Sequence, residues 1–338
     1  MNKKILIGII IVFILVIAGG YYFLAQKFPP KQEKRFSGIN VIFFPGGAIG
    51  DSFATIVYNG AKAAQEDLGA NVEYKWSDWD PNKMIEQFKE AIDEKPDAIC
   101  MMGHPGAEVL GPLINEAERK GIIVTLQNVD LPTVRAQYSA QGMGYAGQNV
   151  YASGLALAQG AARKYGLKSG DQALVFGLLS EVGRGDRTKG CVDGFKQAGV
   201  TVNYKEITDD VNKSPDSDVA KNFFADALKE FPETKIILID HGSLTAASPN
   251  ILKELGKKPG EILVAGFDLS ASTVKGIQDG YIGLVSDQQP FLQGYLPILQ
   301  VVMAKKYNFA GLDIDTGVGL IDSTNVEAVS KLAAEGIR

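Results

Sequence analysis

The chain has 338 residues, a formal net charge of −5 at neutral pH and 46% hydrophobic residues. That length exceeds one ordinary core and suits two α/β lobes. The acidic balance argues against a nucleic-acid partner, which would need a basic face.

Lys3 and Lys4 precede the uncharged, largely apolar run Ile5–Gln26. About 20 such residues span a bilayer as a helix, and cations before the span keep the N-terminus in the cytoplasm. Residues 1–26 are therefore predicted to form a signal anchor that leaves the rest of the chain outside the cell. A cleaved signal peptide, giving a secreted protein, is the competing reading. Ile17-Ala18-Gly19-Gly20 has the form of a lipoprotein box with Gly where the acylated Cys would stand, so no lipid is expected. Residues 27–37, with Pro29-Pro30, read as an exposed linker.

Short apolar runs then alternate with amphipathic ones. Strands are predicted at 39–44, 72–74, 99–102 and 122–126, and helices at 53–68, 82–94 and 107–120. After Gly144-Tyr145-Ala146-Gly147 the pattern restarts, with helices at 150–165, 189–197, 219–231, 244–255, 272–278 and 292–307. Strands at 173–176, 202–207, 235–239, 262–267 and 281–286 lie between them. Continuous apolar strands separated by helices of 3.6-residue period imply parallel sheets covered on both faces. Two doubly wound parallel-sheet lobes with a cleft between them are expected. Cys100 falls in a strand and Cys191 in a helix; both are read as buried thiols without a disulfide.

The chain's rare residues gather just past strand ends. His104 and His241, the only two histidines, follow the third strand and the 235–239 strand, and Trp76 and Trp79, the only two tryptophans, follow 72–74. Ligands of open α/β sheets bind outside the carboxyl ends of the strands. Aromatic faces at that edge come from Phe53, Trp76 and Trp79. Carboxylates come from Asp51, Asp78, Asp240 and Asp268, amides from Gln127, Asn128, Gln148 and Gln288, and guanidinium groups from Arg184 and Arg187. A sugar needs flat apolar surface for its C–H faces and directional donors and acceptors for its hydroxyls. Asp80, before Pro81, reads as a helix cap and is left out. The competing account, that the aspartates only cap helices, stands beside this one.

Other chemistries find little footing. Gly46-Gly47-Ala48-Ile49-Gly50 lacks the first Gly of a dinucleotide fingerprint, where Pro45 stands, and no phosphate loop exists. The two histidines with Asp51 and Asp240 lack the short spacing of a metal site, so neither metal nor cofactor is expected. No nucleophile elbow or Ser-His-Asp set can be assigned. Arg184-Gly185-Asp186 is read as part of a strand-to-helix loop rather than as an adhesion tripeptide.

Several segments together resemble the type I periplasmic binding proteins of the ribose/galactose group, which serve sugar ABC transporters. They are Asp51-Ser52-Phe53 with Asn59-Gly60-Ala61, Gly147-Gln148-Asn149, Gly194-Phe195, Gly266-Phe267-Asp268, Asp287-Gln288-Gln289-Pro290 and Gln293-Gly294-Tyr295. The resemblance runs from about Ile39 to about Gly319. Departures are Ser52 in place of Pro, Leu126-Gln127-Asn128 where ribose binders carry Asp-Arg, and Asp240-His241 where Asn-Asp is common. The family's binding Arg falls nearest Lys189, with Arg187 slightly before it. The resemblance implies three crossovers, near Gly147, Gln288 and Asp315. It divides the chain into an N-terminal lobe (38–146 and 289–315) and a C-terminal lobe (147–288 and 316–338). It further implies a binding protein rather than an enzyme, expected to be monomeric, that closes on a sugar and docks on a permease. A sensor that presents sugar to a histidine kinase is the first alternative. An enzyme acting on a sugar or nucleoside is the second, with His104, His241, Asp51 and Asp240 supplying acid and base.

Overall fold

The computed structural model describes residues 34–181, 184–317 and 319–338. The run Ile5–Gln26 lies outside them, and among the described residues no helix is long and apolar enough to cross a membrane. In chain order the first half comprises Asn40–Phe43 (β1), Ser52–Leu68 (α1), Asn71–Tyr74 (β2), Pro81–Glu94 (α2), Ala98–Met102 (β3), Ala107–Arg119 (α3), Ile123–Gln127 (β4), Pro132–Tyr138 (α4) and Tyr145–Gly147 (β5). Val150–Lys164 (α5), Gln172–Gly177 (β6), Gly185–Gln197 (α6), Thr201–Glu206 (β7), Asp209–Lys213 (α7) and Asp218–Glu230 (α8) follow. Next come Thr234–Ile239 (β8), Gly242–Glu254 (α9), Leu263–Phe267 (β9), Ala271–Gln278 (α10) and Ile282–Asp287 (β10). Pro290–Tyr307 (α11), Asp313–Asp315 (β11), Gly319–Ile321 (β12) and Glu327–Ala334 (α12) close the described chain.

The strands form two six-stranded sheets, ordered β11-β5-β4-β3-β1-β2 and β12-β10-β9-β8-β6-β7. Central strands such as β3 are buried along their whole length, as a sheet covered on both faces requires. The first sheet is parallel throughout. The second departs from the expected parallel sheet at one edge, where β12 runs antiparallel to β10. Residues 316–318 join β11 of the first sheet to this edge strand of the second. The chain passes between the sheets after β5, after β10 and after β11.

In each sheet the strand order reverses beside one strand, β1 in the first and β6 in the second. The loops after β1 and β3 therefore leave side by side, as do those after β6 and β8. This reversal opens the crevice in which α/β proteins bind ligands. The layers behind it are close-packed. α1 and α11 cross so tightly at Gly60 and Gly294 that a Cβ on either would strike backbone of the other helix. Phe43, Phe88, Ile99, Met101 and Met102 fill the first core. The second sheet has two cores, one around Phe224 and Ile239 and one around Phe195 and Phe267. Cys100 and Cys191 are buried in different lobes and unpaired.

Candidate functional site

Trp79 is the centre of the N-terminal side. It follows β2 with Asp78, and both hold left-handed backbone at φ 57° and 54°. Such φ values are costly for residues with side chains and persist only where surroundings impose them. Here the Asp78 and Trp79 amides donate to the Gly47 and Gly46 carbonyls at 3.2 and 3.0 Å. The indole lies over Gly46 and Gly47, where a Cβ would collide with it. Its N–H donates to Asp51 Oδ2 at 3.2 Å, while Asp51 Oδ1 caps α1 by accepting from the Ala54 amide at 2.8 Å. Asp51 thus acts as a helix cap and also orients Trp79. The Phe53 ring lies 6.0 Å from Trp79, and the His104 ring meets Trp79 edge-on at 5.5 Å.

Two residues of the expected set stand apart. Trp76 packs its ring 5.5 Å from Tyr58, which in turn meets Tyr74 at 4.7 Å. Its indole belongs to the packing of α1 on β2, not to the Trp79 cluster. Residues three apart at a sharp turn diverge, and spacing alone did not reveal it. The Asp78 carboxylate forms an exposed ion pair with Lys83 on the first turns of α2. Asp80 caps α2, accepting from the Asn82 amide at 2.8 Å.

The C-terminal side is built on charge. α6 starts at Gly185, four residues before the expected Lys189, so Arg187 sits inside its first turn rather than in a loop. Glycines at 185 and 190 weaken the helical signal there. Arg187 Nε donates to Asp240 Oδ1, and Thr188 Oγ donates to Asp240 Oδ2. Arg187 Nη2 reaches the Asp240 carbonyl at 3.1 Å, and the guanidinium lies 4.2 Å over the Phe267 ring. Arg184 Nη2 donates to the same carbonyl at 3.0 Å. Lys189 is exposed. Thr188 and Phe267 were not among the expected site residues. Phe267, an aromatic side chain at the last position of a strand, carries the same signal that marked the tryptophans.

His241 caps α9, its Nδ1 accepting from the Leu244 amide at 3.4 Å. The acceptor role places the proton of the neutral ring on Nε2. Both imidazoles keep some solvent contact, yet the protein around them pushes each pKa down to about 3, through desolvation first and then through Arg184 and Arg187. Both are neutral at physiological pH. His104 stands at the end of the first sheet and the arginines at the end of the second, so the two edges face each other.

Amides join the edges at the crossovers. Asn128, at φ 60°, donates through Nδ2 to Gln293 Oε1 at 3.1 Å and to Gln288 Oε1 at 3.4 Å. Gln288 Nε2 donates to Asp268 Oδ1, and Gln293 Nε2 donates to the Gln288 carbonyl at 2.9 Å and Thr316 Oγ at 3.2 Å. Burial raises the Asp268 pKa against the pull of Arg187 and Gln288. Gln293 and Thr316 complete a network that the sequence assigned only to Asn128, Asp268 and Gln288. The last turn of the chain packs behind it: Asn59 Nδ2 donates to the Gly336 carbonyl at 3.1 Å, and Arg338 pairs with Asp287 at 2.6 Å.

Gln127 donates to the Phe44 carbonyl at 2.6 Å, and the Gln148 carbonyl accepts from Tyr145 Oη at 2.8 Å. Gln127 Oε1, Gln148 Oε1, His104 Nδ1 and Arg184 Nε are buried and have no partner among the described residues. Buried polar groups are nearly always paired, and each left unpaired costs about 1–3 kcal/mol. Among the described residues no group of three His, Cys, Asp or Glu side chains is placed to hold a metal ion.

Comparison with known proteins agrees with this architecture. A periplasmic binding protein domain matches residues 42–307. The xylose/arabinose-binding protein XylF of Sulfolobus acidocaldarius is 27% identical over 281 residues; the match covers 77% of this chain and 65% of that protein. The same fold occurs in a carbohydrate transporter protein from Acidothermus cellulolyticus bound to myo-inositol, at a TM-score of 0.74 and 22% identity, covering 89% of this chain and 99% of the other. It occurs again in an ABC transporter solute-binding protein from Burkholderia graminis bound to D-arabinose, at 0.73 and 23%, covering 86% and 98%. These relatives are binding proteins rather than enzymes, and the family works outside the cytoplasm. With the family's domain matching most of its length, the chain belongs to the periplasmic binding proteins.

Proposed function

We propose that this protein binds one monosaccharide between its two lobes and delivers it to an ABC permease. The lobes are residues 38–146 with 289–315 and residues 147–288 with 316–338, moving about the three crossovers. The observation that carries the reading is the pairing of a flat aromatic wall with four buried, unpartnered polar atoms. Trp79, Phe53 and His104 offer surface to the C–H face of a pyranose or furanose. Gln127 and Gln148 offer acceptors to hydroxyl donors, and Arg184 Nε offers a donor to a hydroxyl oxygen. The Asn128–Gln288–Asp268 chain ties closure to the crossovers, since it joins groups of both lobes. The sugar-binding relatives support the class of ligand and leave the individual sugar open.

The apolar run Ile5–Gln26, read as an uncleaved anchor, would hold the binding domain, a monomer, at the outer face of the membrane. That permanent anchor suits a sensor subunit working with a histidine kinase as well as a transport component. Capture of a permease or of a kinase by the full chain separates the two. The binding role is tested by thermal unfolding against pentoses, hexoses, inositols and nucleosides, because a ligand of the native state raises the melting temperature by linkage. A saturable rise with one sugar is expected. No rise with any sugar overturns the proposal.

A further inference from the structure

We infer that the loop 308–312, at the pole of the first lobe where the chain enters, docks on the lipid bilayer surface; this rests on the anchor proposed above.

The exposed large apolar side chains fall mainly into two groups. Ile49, Trp79 and Leu179 lie in loops after strand ends and Val109 in the first turn of α3, on the cleft side of the sheets. Phe309 and Leu312 lie at the opposite edge, before β11, and are 53% and 59% exposed. Ala310 between them is exposed as well. Asn308, in left-handed backbone at φ 55°, ends α11 and turns this loop off the helix axis.

The incoming chain is fastened to that same helix end. Phe36 is buried, and its amide donates to the Leu68 carbonyl at 3.2 Å. Arg35 Nε donates to Tyr307 Oη at 2.7 Å, with the guanidinium 5.4 Å from the Tyr307 ring. The Lys306 ammonium donates to the Arg35 carbonyl and lies 5.4 Å over the Phe36 ring. Tyr307 meets Phe309 at 5.9 Å. The chain's entry point and the apolar loop are therefore one surface.

The apolar run ends at Gln26, nine residues before Arg35. Nine residues reach at most about 31 Å when fully extended, which keeps this pole near the bilayer whatever the linker does. Its chemistry fits that position. Bulky apolar tips beside cationic side chains are what membrane interfaces hold, the tips below the headgroups and the cations among them. Among the described residues the acids Asp97 and Asp313 nearby are engaged, by Lys305 at 2.9 Å and by Arg135 at 2.8 Å. Among the described residues Arg35 and Lys306 make no ion pair. The strands of the first sheet run from this pole toward the cleft. Docking here turns the cleft away from lipid by at least one strand length, about 15 Å.

The test places the full chain in vesicles of ordinary or brominated phospholipid and reads tryptophan emission of the Phe309→Trp variant. Position 309 is exposed, so the exchange of one ring for another leaves packing intact. The expected result is loss of most of the added emission in brominated lipid, with the Trp76 and Trp79 emission of the unsubstituted chain unchanged. Unquenched emission from a chain that floats with the vesicles overturns the docking and leaves the anchor standing. Unquenched but blue-shifted emission overturns it in favour of the chain's own N-terminal segment, or a second copy, covering the loop. A chain that does not float with vesicles overturns the anchor and the docking together.

Discussion

The two cleft edges share a strand order and are built by opposite means. The edge of the first sheet is mainly aromatic and amide, with one carboxylate, Asp51, holding the indole: Trp79, Phe53, a neutral His104 and the amides of Gln127 and Asn128. The edge of the second is ionic, with Asp240 gripped by Arg187 and Thr188 and bridged through its carbonyl to Arg184. One edge provides surface, and its polar atoms include three without partners. The other satisfies nearly all its charge internally and presents what is left, chiefly Arg184 Nε. The contrast teaches that a cleft edge can use charge without offering net charge, which suits the neutral, hydroxyl-rich ligand proposed above. A guanidinium already neutralised by a carboxylate remains a directional donor, and its position is fixed before the ligand arrives.

The largest expected effect lies on the ionic edge. Asp240→Asn leaves Arg187 buried without its counter-charge, which typically costs about 3 kcal/mol or more. Urea unfolding should show the second lobe's unfolding free energy reduced by that amount, with its midpoint lowered in proportion. An unchanged midpoint would mean that the pair is not structural and that the two edges are less different than they look. On the aromatic edge the effect should appear in affinity instead. Trp79→Ala, at a partly exposed ring, is expected to weaken sugar binding at least about tenfold, roughly 1.4 kcal/mol, with little loss of stability. Trp76→Ala should do the reverse, because that ring packs on Tyr58. Calorimetric titration beside unfolding distinguishes the two, and equal affinity losses would erase the separation drawn between these tryptophans.

The effect least visible at neutral pH concerns the histidines, one on each edge. Their folded pKa values of about 3 lie below the ordinary value of 6.5, so between those values the unfolded chain binds more protons. Their contribution to stability is complete above pH 6.5 and is lost as the pH falls toward 3. The slope is at most about 1.4 kcal/mol per pH unit for each ring. Replacing both by Gln should flatten the stability profile between pH 4 and 6.5, measured as denaturation midpoints. A profile that keeps its slope would place the acid sensitivity elsewhere.

How far these features could be read in advance varied with length and with chain order. Long apolar runs and amphipathic helices such as α1, α2 and α8 announce themselves by periodicity. β5, β11 and β12 have three residues each, too few for any period, and owe their strand state to neighbours already in place. The strand-end rule pointed to His104, His241, Arg187 and Asp240 because topology carries such positions to one edge. It missed Thr188, Gln293 and Thr316, whose roles come from partners distant in sequence. It also joined Trp76 to Trp79, which the backbone turn at Asp78 separates.

What the sequence determined by itself is the alternation of strand and helix, the acidic surface, the N-terminal apolar run and the family to which the chain belongs. These follow from composition, period and short motifs, all local properties of a chain. The tertiary structure alone decided which polar atoms are already satisfied, which ring faces the cleft and which packs behind it, and that β12 enters its sheet antiparallel. Each of those depends on distances between residues far apart along the chain, and hydrogen bonds and desolvation act through distance rather than through order in sequence.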